Sequence, residues 1–201
     1  MSRATRLLAT AAAAPIAIVL AIVLGLLAWG FSSLPSDLRP PDADSVAEHV
    51  VSGFERHLDH NRDWYAATLF MTREDRHLGR MQRRVAGITA QLWLHAFWTP
   101  RERVAEIARR AYFGHGFFGV ESAARGYFGR PNAQLSEEEV AALAFLTRWP
   151  SATNPWCYRA TFVEHVREIE SLAHLEPERM LENLLPAPPG ACEPDEAAAP
   201  R

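Results

Sequence analysis

Leu7 to Trp29, LLATAAAAPIAIVLAIVLGLLAW, runs without one charged residue. No other feature constrains the fold as much. About 23 residues rising about 1.5 Å each give roughly 34 Å of helix, enough to cross the hydrocarbon core of a bilayer with slight tilt. Arg3 and Arg6 precede the run, and no basic residue follows it before Arg39. The positive-inside rule then puts the N-terminus in the cytoplasm and the rest of the chain outside. Trp29 and Phe31 stand where interfacial aromatics belong. The competing reading is a cleaved signal peptide, whose apolar core usually measures about 7–15 residues. The longer run here favours an uncleaved anchor. Pro15 inside it predicts a kink of the kind membrane helices tolerate.

The remainder has an ordinary soluble composition over about 165 residues, close to the usual domain size. A formal net charge of −3 gives no electrostatic case for nucleic acid as a partner. All 21 residues counted as Lys or Arg are arginine, which excludes lysine Schiff-base chemistry and a P-loop. Cys157 and Cys192 are too few for a four-cysteine zinc site or a dense disulfide framework. An oxidising exterior would allow them to pair without requiring it.

Segmentation follows from punctuation. Residues 1–34 read as the cytoplasmic start and anchor, and 35–44, rich in proline and turn residues, as a linker. Residues 45–185 read as the folded domain, and 186–201 as a low-complexity tail lacking the apolar content to fold. Within the domain, Ser45 and Glu48 have the spacing of a capping box, followed by Val46, Val50, Phe54 and Leu58 at helical spacing. Arg73, Arg76, Arg80, Arg83 and Arg84 form a basic stretch leading into an apolar segment, Ile88 to Trp98, expected to be a buried helix. Thr99-Pro100-Arg101-Glu102 and Ser136 to Glu139 open further helices. A last helix carries Phe162, Val166, Ile169 and Leu172. No alternating strand pattern of useful length and no internal repeat occur, so the domain is expected to be mainly α.

Tyr112 to Pro155 carries the most specific pattern: YFGHGFFGVESAARGYFGRPNAQLSEEEVAALAFLTRWPSATNP. Its glycines permit a tight path between helices, and its aromatics supply apolar surface. Most of them read as core and turns. The stretch resembles the family 51 glycosyltransferases, the peptidoglycan transglycosylases, whose core reads YFG-x-G-x-x-G-x-E-x-AAR-x-YFG. The matches are Tyr112, Phe113, Gly114, Gly116, Gly119, Glu121, Ala123, Ala124, Arg125, Tyr127, Phe128, Gly129, Leu135, Glu139, Leu143, Pro150, Asn154 and Pro155. The nearest flavour is the monofunctional kind, with one membrane anchor and no transpeptidase domain. The resemblance implies a lysozyme-like helical domain, a lipid-linked peptidoglycan precursor as ligand, and other cell-wall synthases as partners. It also implies a place in the bacterial inner membrane, with the C-terminal domain periplasmic or extracellular.

The chemistry of that family needs a carboxylate base for the acceptor hydroxyl, and cations, often with a divalent metal, for the leaving pyrophosphate. The family's Glu-Asp-x-x-Phe-x-x-His-x-Gly motif has no counterpart here. Phe54, Glu55, Arg56, His57 and His60 form a remote echo, which leaves Glu55 as the weak candidate base. The motif with two glutamines is replaced by Asp59 to Trp64. Counting back from Thr99 lays the Arg-Lys-x-x-Glu motif on Arg83 to Gly87: the cations survive as Arg83 and Arg84, and the carboxylate position falls on Gly87. Glu121 and Arg125 stand four apart on one helix face and can pair as helix neighbours or border a site. No metal site or cofactor is assigned. His57, His60, Asp59 and Asp63 could suggest a metal, but they read better as a polar face. A divalent ion enters only by resemblance, if the protein is active. Two readings stay open. One is a membrane-anchored relative, degenerate in catalysis, that binds lipid-linked precursor or a partner synthase. The other is an active transglycosylase using a displaced carboxylate.

Overall fold

The computed structural model describes residues 3–42, 45–58, 62–74, 77–169, 172 and 174–192, the side chains of 3–14 excepted. In chain order its helices are α1 (Arg3–Phe31), α2 (Glu48–His57), α3 (Arg62–Met71), α4 (Arg80–Phe97), α5 (Pro100–Arg110), α6 (Val120–Phe128), α7 (Glu137–Leu146), α8 (Arg159–Glu168) and α9 (Pro177–Met180). Among the described residues there is no strand, only an isolated bridge between Tyr112 and Phe118. The mainly helical expectation is met.

α7 forms the centre. Every residue from Glu139 to Leu146 is buried, so the helix is enclosed on all sides rather than on one stripe. α2 lies against α5 and α7, and α3 bridges α4 and α5. Helix starts follow local chemistry where a side chain can reach the backbone. Thr99 and Glu102 form a reciprocal capping box at α5, as do Ser136 and Glu139 at α7. The first expected box does not form. α2 begins at Glu48 behind Ala47, without a side-chain cap, because the Ser45 hydroxyl donates to the carbonyl of Asp42 instead.

Arginines tie the helices together. Arg103, itself buried, donates to Asp63 of α3 at 2.9 Å and to the Leu94 and Trp98 carbonyls at the end of α4. Arg73 grips Glu106 of α5 through two bonds of 2.9 and 3.0 Å and also holds the Asp37 and Arg39 carbonyls. The expected linker therefore runs against the domain instead of hanging free of it.

The Tyr112 to Pro155 block is a scaffold. Asn154 donates to the Tyr127 hydroxyl at 2.6 Å, which donates in turn to the Phe113 carbonyl at 2.8 Å. Burial pushes the Tyr127 phenol well up. Gly114 sits at φ +92, and a Cβ there would lie 2.7 Å from the Pro150 carbonyl oxygen and 3.0 Å from the Tyr127 hydroxyl. Only glycine satisfies both the backbone conformation and the contact.

Two expectations need correction. The segment Ile88 to Trp98 is helical but not buried throughout: Ala86, Ala90 and Leu94 face the core, while Ile88, Leu92 and Phe97 stay exposed. The helix expected to be the last, α8, stops at Glu168, so Ile169 and Leu172 pack from the turns beyond it, and α9 follows. The question left open for the cysteines is answered by a Cys157–Cys192 disulfide, which holds the start of the expected tail; residues 193–201 lie outside the described residues.

α1 spans 29 residues, with side chains described from Pro15 onward. Among the described residues no helix is long and apolar enough to cross a membrane. The C-terminal end of α1 seats on α4 through Gly30 against Val85 and Thr89, and through an edge contact of Phe31 with Trp93 at 5.4 Å.

Candidate functional site

Trp64 and Gly87, which the expected motif positions include, meet where α3 crosses α4. Gly87 is buried in α4, and the place its Cβ would occupy lies 3.3 and 3.6 Å from two ring carbons of Trp64. Trp64, at the start of α3 and 49% exposed, thus lays its indole over Gly87, the position at which the count from Thr99 expects the motif carboxylate. Its neighbour Asp63 is turned away, bound to Arg103.

Arg83 and Arg84 project from the first turns of α4 and are exposed. Among the described residues neither forms an ion pair with a carboxylate, and the Arg83 guanidinium makes one long bond of 3.4 Å to the Leu78 carbonyl. Arg73, from the same basic stretch, is spent on Glu106, and Arg76 lies outside the described residues. Among its described members the cluster is thus split between the Arg73 clamp and three exposed arginines, Arg80, Arg83 and Arg84.

The carboxylates near this surface have other employment. Glu74 accepts from the Ser36 backbone and hydroxyl at 2.5 Å. Glu55 is exposed on α2. Asp59, His60 and Asp75 lie outside the described residues. His57 is buried and stacks on His174 at 6.1 Å. Among the described residues no three His, Cys, Asp or Glu groups come together to hold a metal ion.

Glu121 and Arg125 do pair, at 2.7 Å. Glu121 accepts from the Asn132 backbone at 2.9 Å and from its side chain, and Asn132 accepts from the Ala47 backbone at 3.2 Å. The Asn132 backbone bond, with help from Arg125, holds the Glu121 carboxyl below its ordinary range. The pair links α6 to the start of α2.

Sequence reasoning missed two contacts, Trp64 with Gly87 and Arg73 with Glu106. The second left a signal: Glu106 lies amid Val104, Ile107 and Ala108 on the inward face of α5, a position where a carboxylate demands a partner. It also missed a cleft of about 250 Å³ on the other flank of α3, where α2 and the end of α7 converge around Arg62, Tyr65, Arg148 and Trp149.

Comparison with known proteins bears on this arrangement. The family model described as Transglycosylase matches residues 65–173, which begins within α3 and takes in all of α4 to α8. A biosynthetic peptidoglycan transglycosylase of Rhodospirillum centenum is 40% identical over 74 residues, 36% of this chain and 32% of the relative. One from Xylella fastidiosa is 43% identical over 63 residues, 31% of this chain and 26% of the relative. One from Yersinia pestis is 45% identical over 58 residues, 29% of this chain and 23% of the relative. The matched stretch thus spans a third or less of the length of these curated relatives.

Proposed function

The chain belongs to the transglycosylase family, and from that premise we propose that it is a membrane-anchored peptidoglycan glycosyltransferase relative that binds lipid-linked precursor without polymerising it. The observation that carries this reading is the Trp64 indole lying against Gly87. Binding a lipid pyrophosphate needs cations, and Arg83 and Arg84 present guanidinium forks that match phosphate oxygens bidentately. Glycosyl transfer needs, in addition, a carboxylate poised at the acceptor hydroxyl. In support, the Trp64 ring lies against Gly87, where the motif carboxylate is expected, and Asp63 and Glu74 are held by protein partners.

The anchor is part of the same proposal. On α1, Ile16, Val19, Leu20, Val23 and Leu24 are all exposed, so apolar side chains point outward around the whole helix. Such a surface is stable in lipid, not in water. α4, which seats the end of α1, adds exposed Ile88, Leu92 and Phe97, with Arg80, Arg83 and Arg84 at its other end for anionic headgroups. The pair of cysteines joined in the fold suits the oxidising side of the inner membrane.

The full chain in detergent micelles tests the reading. Lipid-linked disaccharide should bind in a salt-sensitive manner with little or no glycan formed. Arg83→Ala with Arg84→Ala should weaken binding about tenfold or more, and Glu55→Gln should leave it unchanged. Robust polymerisation that vanishes in Glu55→Gln would restore the active enzyme and end this proposal.

A further inference from the structure

We propose that the Cys157–Cys192 disulfide is a thiol-exchange site: an external dithiol attacks Cys192, Cys157 leaves as a thiolate held by His115, and residues 186–192 are released. The two sulfurs sit in unlike surroundings. Cys192 is exposed, whereas Cys157 is half-buried, as are His115 and Trp156 beside it. An incoming thiolate therefore meets Cys192 first, which makes Cys157 the leaving group.

The surroundings of Cys157 suit that role. Its Sγ lies 3.8 Å from His115 Nε2. An N–H at that nitrogen donates to the sulfur as charge develops, and a histidine beside a cysteine favours the thiolate. Cys157 also directly precedes Tyr158, the N-cap of the 10-residue α8, where the helix dipole favours negative charge. The Ala191 carbonyl oxygen, 3.5 Å from the same sulfur, works against a thiolate, but it belongs to the released segment and departs with Cys192. The position of His115 is built into the backbone. At φ +49 it is the one non-glycine residue with positive φ among the described residues, set between Gly114 at +92 and Gly116 at +77. Its ring is packed against Trp156 at 5.0 Å. Backbone strain of this kind persists only where the surroundings impose it.

Residues 186–190 are all exposed, so beyond Leu185 the bridge is what ties this segment to the domain. Leu185 itself stays, donating to the Tyr127 carbonyl at 2.8 Å and accepting from the Trp156 indole at 2.8 Å. Reduction thus frees a short strap and leaves its root fixed, so the same two sulfurs can meet again. The exchange balances without a cofactor. The first thiolate bonds to Cys192 Sγ and the S–S electron pair goes to Cys157. The second thiolate of the dithiol then displaces Cys192. The dithiol ends as its own disulfide, and its two protons pass to the freed cysteines. None of these steps depends on the pyrophosphate reading.

The test uses the full chain in micelles, with dithiothreitol and glutathione as probes. Under limiting glutathione, the mixed disulfide should map to Cys192 by mass spectrometry. Dithiothreitol should reduce the bridge about tenfold faster in the native chain than in His115→Asn, since asparagine tolerates the positive φ and lacks the imidazole. Proteinase K should cut between residues 186 and 192 only after reduction. Cys192→Ser gives a readout that needs no change at His115: the freed Cys157 should show the ultraviolet absorbance of a thiolate at pH about 7. Adducts on Cys157, an unchanged rate in His115→Asn, a protonated Cys157 in Cys192→Ser, or the same cleavage before and after reduction would each overturn the exchange site.

Discussion

Arg73 and Glu106 form a bidentate pair in which the carboxylate is 1% exposed, with the guanidinium also lying 4.9 Å over Phe70 and 5.1 Å over Trp98. A buried charge of this kind is costly to strand. Arg73→Ala should lower stability by about 3–5 kcal/mol in urea unfolding, whereas replacing both partners with apolar residues of similar volume should lose much less. Equal losses in the single and double variants would show the pair to be incidental. Glu121 gives a pH signature. Its carboxyl is held below the ordinary range by the Asn132 backbone, so the stability it lends is complete above the unfolded value and lost as pH falls through the lower folded one. Glu121→Gln should flatten the acid limb of urea midpoint against pH and leave the neutral region nearly level. Sequence alone could place Glu121 and Arg125 on one face, since helical spacing demands it. It could not find Asn132, because that partner depends on how a loop folds back.

At the scale of the helix, legibility tracked how local the physics is. The starts at Thr99 and Ser136 were readable because cap and carboxylate lie three residues apart on one turn. Ser45 offered the same pattern and was diverted by a carbonyl at Asp42, a competition the pattern does not encode. α4 read as buried because its apolar residues are numerous, yet exposure is decided by neighbours: α3 and α1 cover Ala90 and Thr89 while Ile88, Leu92 and Phe97 remain outside. If that outer row meets lipid, Ile88→Gln with Leu92→Gln should leave the melting temperature in micelles nearly unchanged. The same change should reduce retention of an α1-deleted chain on vesicles containing anionic lipid. Removal of two large apolar contacts, each worth about 1.5–3 kcal/mol when fully buried, predicts a loss of at least tenfold. Unaltered retention would confine membrane contact to α1.

Over the whole molecule, the first residues and the last described ones constrain each other through topology. On the proposed anchoring, the N-terminal arginines and the apolar run would put the folded domain outside the cytoplasm, the side on which a disulfide is expected to persist. The bridge closes 35 residues that include α8 and α9. Leu185 donates to the Tyr127 carbonyl and accepts from the Trp156 indole, so the ends of that loop are already drawn together by packing. Chain-entropy reasoning gives an upper value of roughly 4 kcal/mol for such a loop, equivalent to a fall of at most about 16 °C in melting temperature on reduction. The same bridge reports topology. With its own N-terminus the chain should show no thiol open to alkylation until reductant is added. Arg3→Glu with Arg6→Glu, combined with new arginines placed just after Phe31, should hold the domain in the cytoplasm and leave both thiols reactive. Thiols that stay blocked in the charge-reversed chain, or open in the native one, would show that the arginines do not set orientation. Domain and anchor would then have to be treated as independent.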